Sequence, residues 1–409
     1  MNKKKYLAWF CDFESSADFS KFVNVHSLLI TKFSEKFDKI YLINVLNLKF
    51  FSQKNDQISF ELDQSLNLPS NIKFYNPINS KEFENFLVGK ILIGIHNFGR
   101  SLRHLKVLFL IARHKIKLVQ ISNIGNLQLG MSPLKNFFWK GLLYKFKHIY
   151  THKFIVLLSN LGLVPKIEIR FVTDPNIIEY KKKSKNLLKK IFNYFNLHYA
   201  REFVLINSRA FDTVKESQIE IEENQIILLD EMMDNYQWIS LRKKTDSKNL
   251  EKHYYYLIRL LKHLSNIYKK EVVICIHPMD NLEKKKRLFA DFRVIKYQTR
   301  KYIFKAFLVL FTESSAIVDA ILLKKRIVSF YSSYMDENMI KHTENYAENI
   351  GTVKINIEDE ITFNKDDFLL KLDKAKEKYL NFIESRIVPD GNNLGYEKII
   401  KTLKERFFY

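Results

Sequence analysis

Short apolar runs alternate along this chain with longer stretches in which apolar residues return every third or fourth position. Tyr6–Cys11 predicts a strand, Phe22–Phe33 an amphipathic helix and Lys39–Asn44 a second strand, a βαβ beginning. After a polar excursion from Ser52 to Asn71, a strand is predicted at Ile72–Tyr75 and a helix at Ser80–Val88. A strand at Lys90–Ile95, a helix at Leu102–His114 and a strand at Lys117–Ile121 come next. Arg201–Asn207 is read as opening a second domain, followed by a strand from Ile226 that ends in Asp230-Glu231. A long amphipathic helix spans Asn249–Tyr268, and strands follow at Glu271–Ile276, Phe292–Ile295, Ala306–Phe311 and Arg326–Tyr331. Between the last two lies a helix, Ala316–Leu323; Tyr346–Ile357 reads as loop and strand, and Lys365–Phe408 as helices interrupted at Val388–Asn392. Strands alternating with helices predict an α/β protein with parallel sheets.

Polar residues gather where these strands end. Glu271–Ile276 stops at His277-Pro278, because proline has no N–H for a ladder. Ala306–Phe311 delivers Thr312-Glu313-Ser314-Ser315 to a helix, so Ser314 or Ser315 is the expected N-cap. In open α/β sheets ligands bind outside the C-terminal strand ends, which predicts that His277 and the serine pair meet in one crevice. Hydroxyls and an imidazole there suit a phosphate. In the first half, His96-Asn97-Phe98-Gly99-Arg100 and Ser122–Gln128 are polar, glycine-containing turns at strand ends. Asn97, Arg100, Asn123 and Asn126 are the candidates there for holding an acceptor or sugar.

A His-Pro after a buried strand, followed by Ser-Ser at the head of a helix and preceded by an acidic pair at a strand end, resembles the bacterial sialyltransferases, polysialyltransferases and β-Kdo transferases of surface polysaccharide assembly. The resemblance implies a GT-B-like fold of two facing Rossmann-like domains and a CMP-activated ulosonic acid as donor, with no cofactor and no metal. It assigns donor phosphate to His277, Pro278, Ser314 and Ser315, and catalysis to Asp230, Glu231 and His277. Met232 follows the acidic pair where sialyltransferases usually carry glycine, and a strand ending in Leu-Asp is more similar to the Kdo transferases. The expected activity is therefore transfer of an ulosonic acid, Kdo before sialic acid, to a surface glycan or lipid-linked acceptor such as a lipopolysaccharide or capsule precursor. In that likeness Asp230 attacks the anomeric carbon and configuration is retained, with Glu231 supporting or replacing it; an inverting sialyltransferase or polysialyltransferase, with Asp230 as base, is the alternative. Two-domain glycosyltransferases of this kind often end in a helix that crosses back to the first domain.

Composition bounds these readings. The chain has 409 residues, 46% of them hydrophobic, enough for two α/β domains. They are placed at 1–180, for the acceptor, and 200–409, for the donor, with a connection near 175–200. Cys11 and Cys275 sit in or beside apolar runs without metal-ligand spacing, consistent with reduced core thiols. No apolar run approaches the length of a membrane span, so the expected location is cytoplasmic, with peripheral contact at the inner membrane. A formal net charge of +22 favours a polyanionic partner. Phe137–Tyr150 interleaves aromatics with Lys and His, a pattern suited to an anionic membrane surface. No nucleic-acid-binding module is recognisable and no nucleic-acid partner is expected. A reading from another class is a non-catalytic basic protein that binds membrane or nucleic acid.

Overall fold

We describe the protein from a computed structural model. It describes residues 5–48, 68–88, 90–98, 102–121, 154–155, 157–175, 177–178, 200–230, 247–278, 280–335, 337–359 and 364–408. They form two compact units, the first comprising residues up to Asn207 together with Asn392–Tyr409, the second Ser208–Gly391.

In the first unit the strands are β1 (Lys5–Cys11), β2 (Ile40–Asn44), β3 (Ile72–Tyr75), β4 (Ile91–Asn97), β5 (Lys117–Ile121), β6 (Ile167–Val172) and β7 (Ala200–Leu205). They lie in the order β3-β2-β1-β4-β5-β6-β7, and every neighbouring pair is parallel. Helices α1 (Ser16–Lys36), α2 (Ser80–Leu87) and α3 (Leu105–Arg113) supply crossovers. Gly94 in β4 is required by packing, since a Cβ there would meet the Phe10 ring at 2.5 Å and Leu118 at 2.7 Å.

The second sheet contains β8 (Gln225–Leu229), β9 (Glu271–Ile276), β10 (Arg293–Lys296), β11 (Ala306–Phe311), β12 (Arg326–Tyr331) and β13 (Val353–Asn356). Its order is β10-β9-β8-β11-β12-β13, again all parallel. Every residue of β8 and β11 is buried, as expected for central strands covered on both faces. Helices α4 (Arg209–Lys215), α5 (Ser247–Tyr268), α6 (Leu282–Leu288), α7 (Thr299–Phe304), α8 (Ile317–Leu322), α9 (Glu337–Ile350) and α10 (Lys365–Phe382) complete the unit. Along α5, Tyr254, Leu257, Leu260, Leu261, Leu264 and Tyr268 form one buried stripe at helical spacing. Counted from its own first strand, each sheet reads 3-2-1-4-5-6, the Rossmann order, with β7 extending the first by one strand.

Three elements differ from the sequence reading. Arg201–Asn207 does not open the second unit: β7 is the edge of the first sheet, paired with β6, which was itself not anticipated. Its inward residues can be assigned only once β6 is present to receive them. Tyr346–Ile350 is helical, the last part of α9, which ends at Gly351 with φ +77°. The cap of α8 is Ala316, without a side-chain cap bond, rather than Ser314 or Ser315. The C-terminal helix α11 (Gly395–Leu403) belongs to the first unit, where Tyr396, Ile399, Ile400 and Leu403 join Trp9 and Phe33 in one core. No helix among the described residues is long and apolar enough to cross a membrane.

Candidate functional site

Both sheets reverse direction of winding at one point, between β8 and β11 in the second and between β1 and β4 in the first. Strand ends at such points open a crevice for ligands. In the second unit Asp230 follows β8, His277-Pro278 follows β9 and Thr312–Ser315 follows β11, three adjacent strand ends. β9 and β11 flank β8, so His277 and Ser314 emerge roughly 10 Å apart, two strand spacings. His277, Pro278 and Ser314 are half-buried, Ser315 is exposed, and Thr312 is buried. The Ser314 hydroxyl accepts from the Ala316 N–H at 3.4 Å.

Beneath this edge lies a buried charge cluster that the sequence reading missed. Lys285 of α6 is fully buried, and its Nζ stands 2.6 Å from Asp230 Oδ2 and 3.4 Å from Asp280 Oδ2. It also donates to Tyr254 Oη on α5 at 2.7 Å. Asp280 anchors the turn after His277: its N–H donates to the His277 carbonyl at 2.9 Å, and its own carbonyl accepts from Lys296 Nζ at 2.9 Å. The Asp230 N–H donates to the Cys275 carbonyl at 3.0 Å. Thus one lysine ties the end of β8 to the His277 turn. The Asp230 side chain is 4% exposed, so a carboxylate expected to attack a sugar is instead occupied by an ammonium. Glu231 lies outside the described residues.

Nearby, His253 Nδ1 and Ser332 Oγ are 2.8 Å apart, both buried. Burial, and then the Lys285 charge, push the His253 imidazole down to about 4, so it is neutral at pH 7. Elsewhere in this unit, Arg300 Nε donates to Asp319 Oδ2 at 2.9 Å. Burial pushes the Asp319 carboxyl up, against the opposing pull of Arg300 and Arg209. Burial lowers Arg209 to about 10, and the Arg300 charge adds to that.

In the first unit the reversal point lies between Cys11-Asp12 and His96-Asn97. Asp12 Oδ2 is 3.1 Å from His104 Nε2, a pair that sequence reasoning also missed. Asn44 fixes the following residue from both sides: its Oδ1 accepts from the Phe13 N–H at 3.0 Å and its Nδ2 donates to the Phe13 carbonyl at 3.2 Å. A carboxylate orienting an imidazole is a proton-accepting arrangement. Asn97 ends β4 and is exposed, with Nδ2 4.0 Å from the buried Cys11 sulfur. Burial pushes the Cys11 thiol well above its usual range. Arg100, Asn123 and Asn126 lie outside the described residues, as does the aromatic and basic stretch 137–150. Among the described residues no group of three or more His, Cys, Asp or Glu is placed to hold a metal ion.

No family model matches the sequence, and no curated protein matches it. Solved structures do. The wall teichoic acid polymerase TagF, as its H444N variant with CDPG, is 11% identical over 98% of this chain and 88% of its own, with a TM-score of 0.50. A UDP-GlcNAc 2-epimerase from Methanocaldococcus jannaschii is 14% identical over 98% of this chain and 99% of its own, with a TM-score of 0.48. The same epimerase in complex with UDP-GlcNAc and UDP gives 14% and 0.43 over 98% and 99% of the two chains. With two parallel sheets in Rossmann order and the likeness to TagF, the chain has the GT-B fold, built from two Rossmann-like domains.

Proposed function

We propose that the protein is a glycosyltransferase that uses a nucleotide-activated sugar, with a CMP-linked ulosonic acid, Kdo before sialic acid, as its donor. The observation that carries this is the convergence of His277 and Ser314 on neighbouring strand ends at the reversal point of the second sheet, either side of Asp230. The GT-B fold is one on which nucleotide-linked substrates are handled: the epimerase was solved with UDP-GlcNAc and UDP, and TagF with CDPG. The cytidine and ulosonic acid assignments rest on the His-Pro, Ser-Ser and Leu-Asp resemblance. The acceptor is a surface glycan or a lipid-linked precursor.

In this reading His277 and the Ser314-Ser315 hydroxyls hold the donor phosphate, and His277 gives the departing phosphate a hydrogen bond or a proton. The acceptor hydroxyl gives up its proton to solvent water. The acceptor oxygen then bonds to the anomeric carbon as the bond from that carbon to the phosphate oxygen breaks, releasing CMP with inversion. Asp230 serves as an anchor rather than a nucleophile, because its carboxylate is paired with Lys285 and shielded from solvent. This pairing supports the inverting route of the sialyltransferase alternative, whereas the Leu-Asp strand end supports Kdo, and the choice of donor decides between them.

The test is incubation with CMP-Kdo, CMP-sialic acid, UDP-GlcNAc and a CDP-linked donor separately, with release of free nucleotide measured. Release from CMP-Kdo alone is the expected result. Release only from the UDP- or CDP-linked donors would keep a transferase and overturn the ulosonic acid assignment, and release from none would overturn the enzyme reading.

A further inference from the structure

We propose that one side of the first unit is a docking surface for an anionic lipid bilayer, formed by α3 and by the helical residues and turn from 154 to 163. Both elements pack inward on the same core: Val107, Leu108 and Ile111 from α3, and Ile155, Leu158 and Val164 from the second segment. Their outward positions are not uniformly polar, as they would be on an amphipathic surface helix: α3 exposes Phe109 between Lys106 and Arg113, and the second segment exposes mainly large apolar side chains. Phe109, Phe154, Leu157, Leu161 and Leu163 are between 37% (Phe109) and 64% (Leu161) exposed. Phe154, Leu157 and Leu161 follow one another at spacings of three and four, so they share one helical face. A clustered set of large apolar side chains left in water marks an interaction site.

Charge selects the partner. From residue 85 to residue 167 the sequence has 83 residues with no Asp or Glu and thirteen Lys or Arg. On the described part of this surface Arg103, Lys106, Arg113, Lys115 and Lys117 are exposed. Arg113 pairs with Glu84 at 2.7 Å and Lys117 with Glu168 at 3.7 Å, both carboxylates from outside the acid-free run. Arg103, Lys106 and Lys115 have no acidic partner among the described residues. Apolar side chains flanked by unneutralised cations fit a bilayer with anionic headgroups, the leucines entering the acyl boundary and the cations resting on phosphate. A second copy of the same surface would bring like charges together. A nucleic acid would engage the cations and gain little from exposed leucines. This inference is independent of the reaction the protein catalyses.

The test is sedimentation with vesicles of phosphatidylcholine alone and of phosphatidylcholine mixed with phosphatidylglycerol, at low and moderate salt. The wild type is expected to bind the mixed vesicles, with affinity falling as salt rises. Leu157→Ser with Leu161→Ser should weaken binding at least about tenfold, since both side chains lose the apolar area that would leave water. Lys106→Glu with Lys115→Glu should weaken it about tenfold or more and flatten the salt dependence. Because all four positions are exposed, melting temperature and turnover on a soluble acceptor should stay unchanged. Failure of the wild type to bind mixed vesicles overturns the proposal. So does wild-type binding by the serine variant, which would leave a purely electrostatic surface for a soluble polyanion. A fall in sedimenting mass in that variant without vesicles would overturn it in favour of a second copy.

Discussion

The two reversal points in this molecule share a topology and differ in the polar groups they carry. At the first, the Asp12 carboxylate stands 3.1 Å from the His104 imidazole, and the adjoining Asn97 is exposed. At the second, charge is sunk beneath the edge: Lys285, Asp230 and Asp280 are all buried, while His277, Pro278, Glu313 and the serines are half-buried or exposed. One edge sets a carboxylate against a buried imidazole; the other uses its ionisable groups to hold two strand ends still. Rigidity is what a phosphate site needs, because donors misplaced by a fraction of an ångström lose much of their effect.

That contrast is broken most severely at Lys285. Lys285→Met would take the ammonium away from two buried carboxylates, Asp230 and Asp280, a loss of about 3–5 kcal/mol by comparison with other broken buried pairs. Denaturant unfolding should show this, and adding Asp230→Asn to Lys285→Met should recover part of the loss. A single mutant of wild-type stability would mean that the lysine is not the tie it appears in the packing.

Acid should weaken the second unit in its own way. His253 has a folded-state value of about 4 against an ordinary 6.5, so the unfolded chain takes up the proton first. The resulting stability is complete above pH 6.5 and is lost as pH falls from there towards 4, a contribution of about 3 kcal/mol. Unfolding curves between pH 7 and 4 should show the slope in the wild type and a shallower one in His253→Gln. Equal slopes would assign the acid sensitivity to other groups.

The two edges should also separate kinetically. His277→Ala should reduce turnover about a hundredfold and weaken CMP affinity, since a positioned acid contributes factors of that order, whereas His104→Gln should leave CMP affinity intact. A loss of CMP affinity in His104→Gln would contradict the assignment of CMP to the His277 edge. Ser314→Ala gives the smallest effect expected here, a few tenths of a kcal/mol in stability, because the bond its hydroxyl accepts from Ala316 is long at 3.4 Å. Any larger change should be in CMP affinity, measured by titration.

The sequence exposed the features that announce themselves locally. β9 reads as a continuous apolar run cut by His277-Pro278, and β11 as another cut by Thr312-Glu313, so the strand edge and its polar residues were visible. Lys285 was hidden inside Lys284-Lys285-Lys286-Arg287, which as a string is a solvated basic face. Only helix phase, with Leu282 three residues before and Phe289 four after, turns that single lysine inward, and only the fold supplies its carboxylates. Asp12 and His104 are 92 residues apart and meet because β1 and β4 are neighbours, which no local pattern records. The same long-range pairing decides that β7 completes the first sheet. Asp230 is legible as a strand-end carboxylate, but its contact with Lys285 is not.

The central claim is that the strand edge carrying His277 binds the phosphate of a cytidine nucleotide. It is tested most directly by thermal melting of the wild type, His277→Ala and His104→Gln with and without CMP, beside UDP and GDP. A ligand that binds only the native state raises the melting temperature. The account predicts a rise with CMP in the wild type and in His104→Gln, and little or none in His277→Ala. An equal rise in His277→Ala, or no rise in the wild type with CMP, would contradict it.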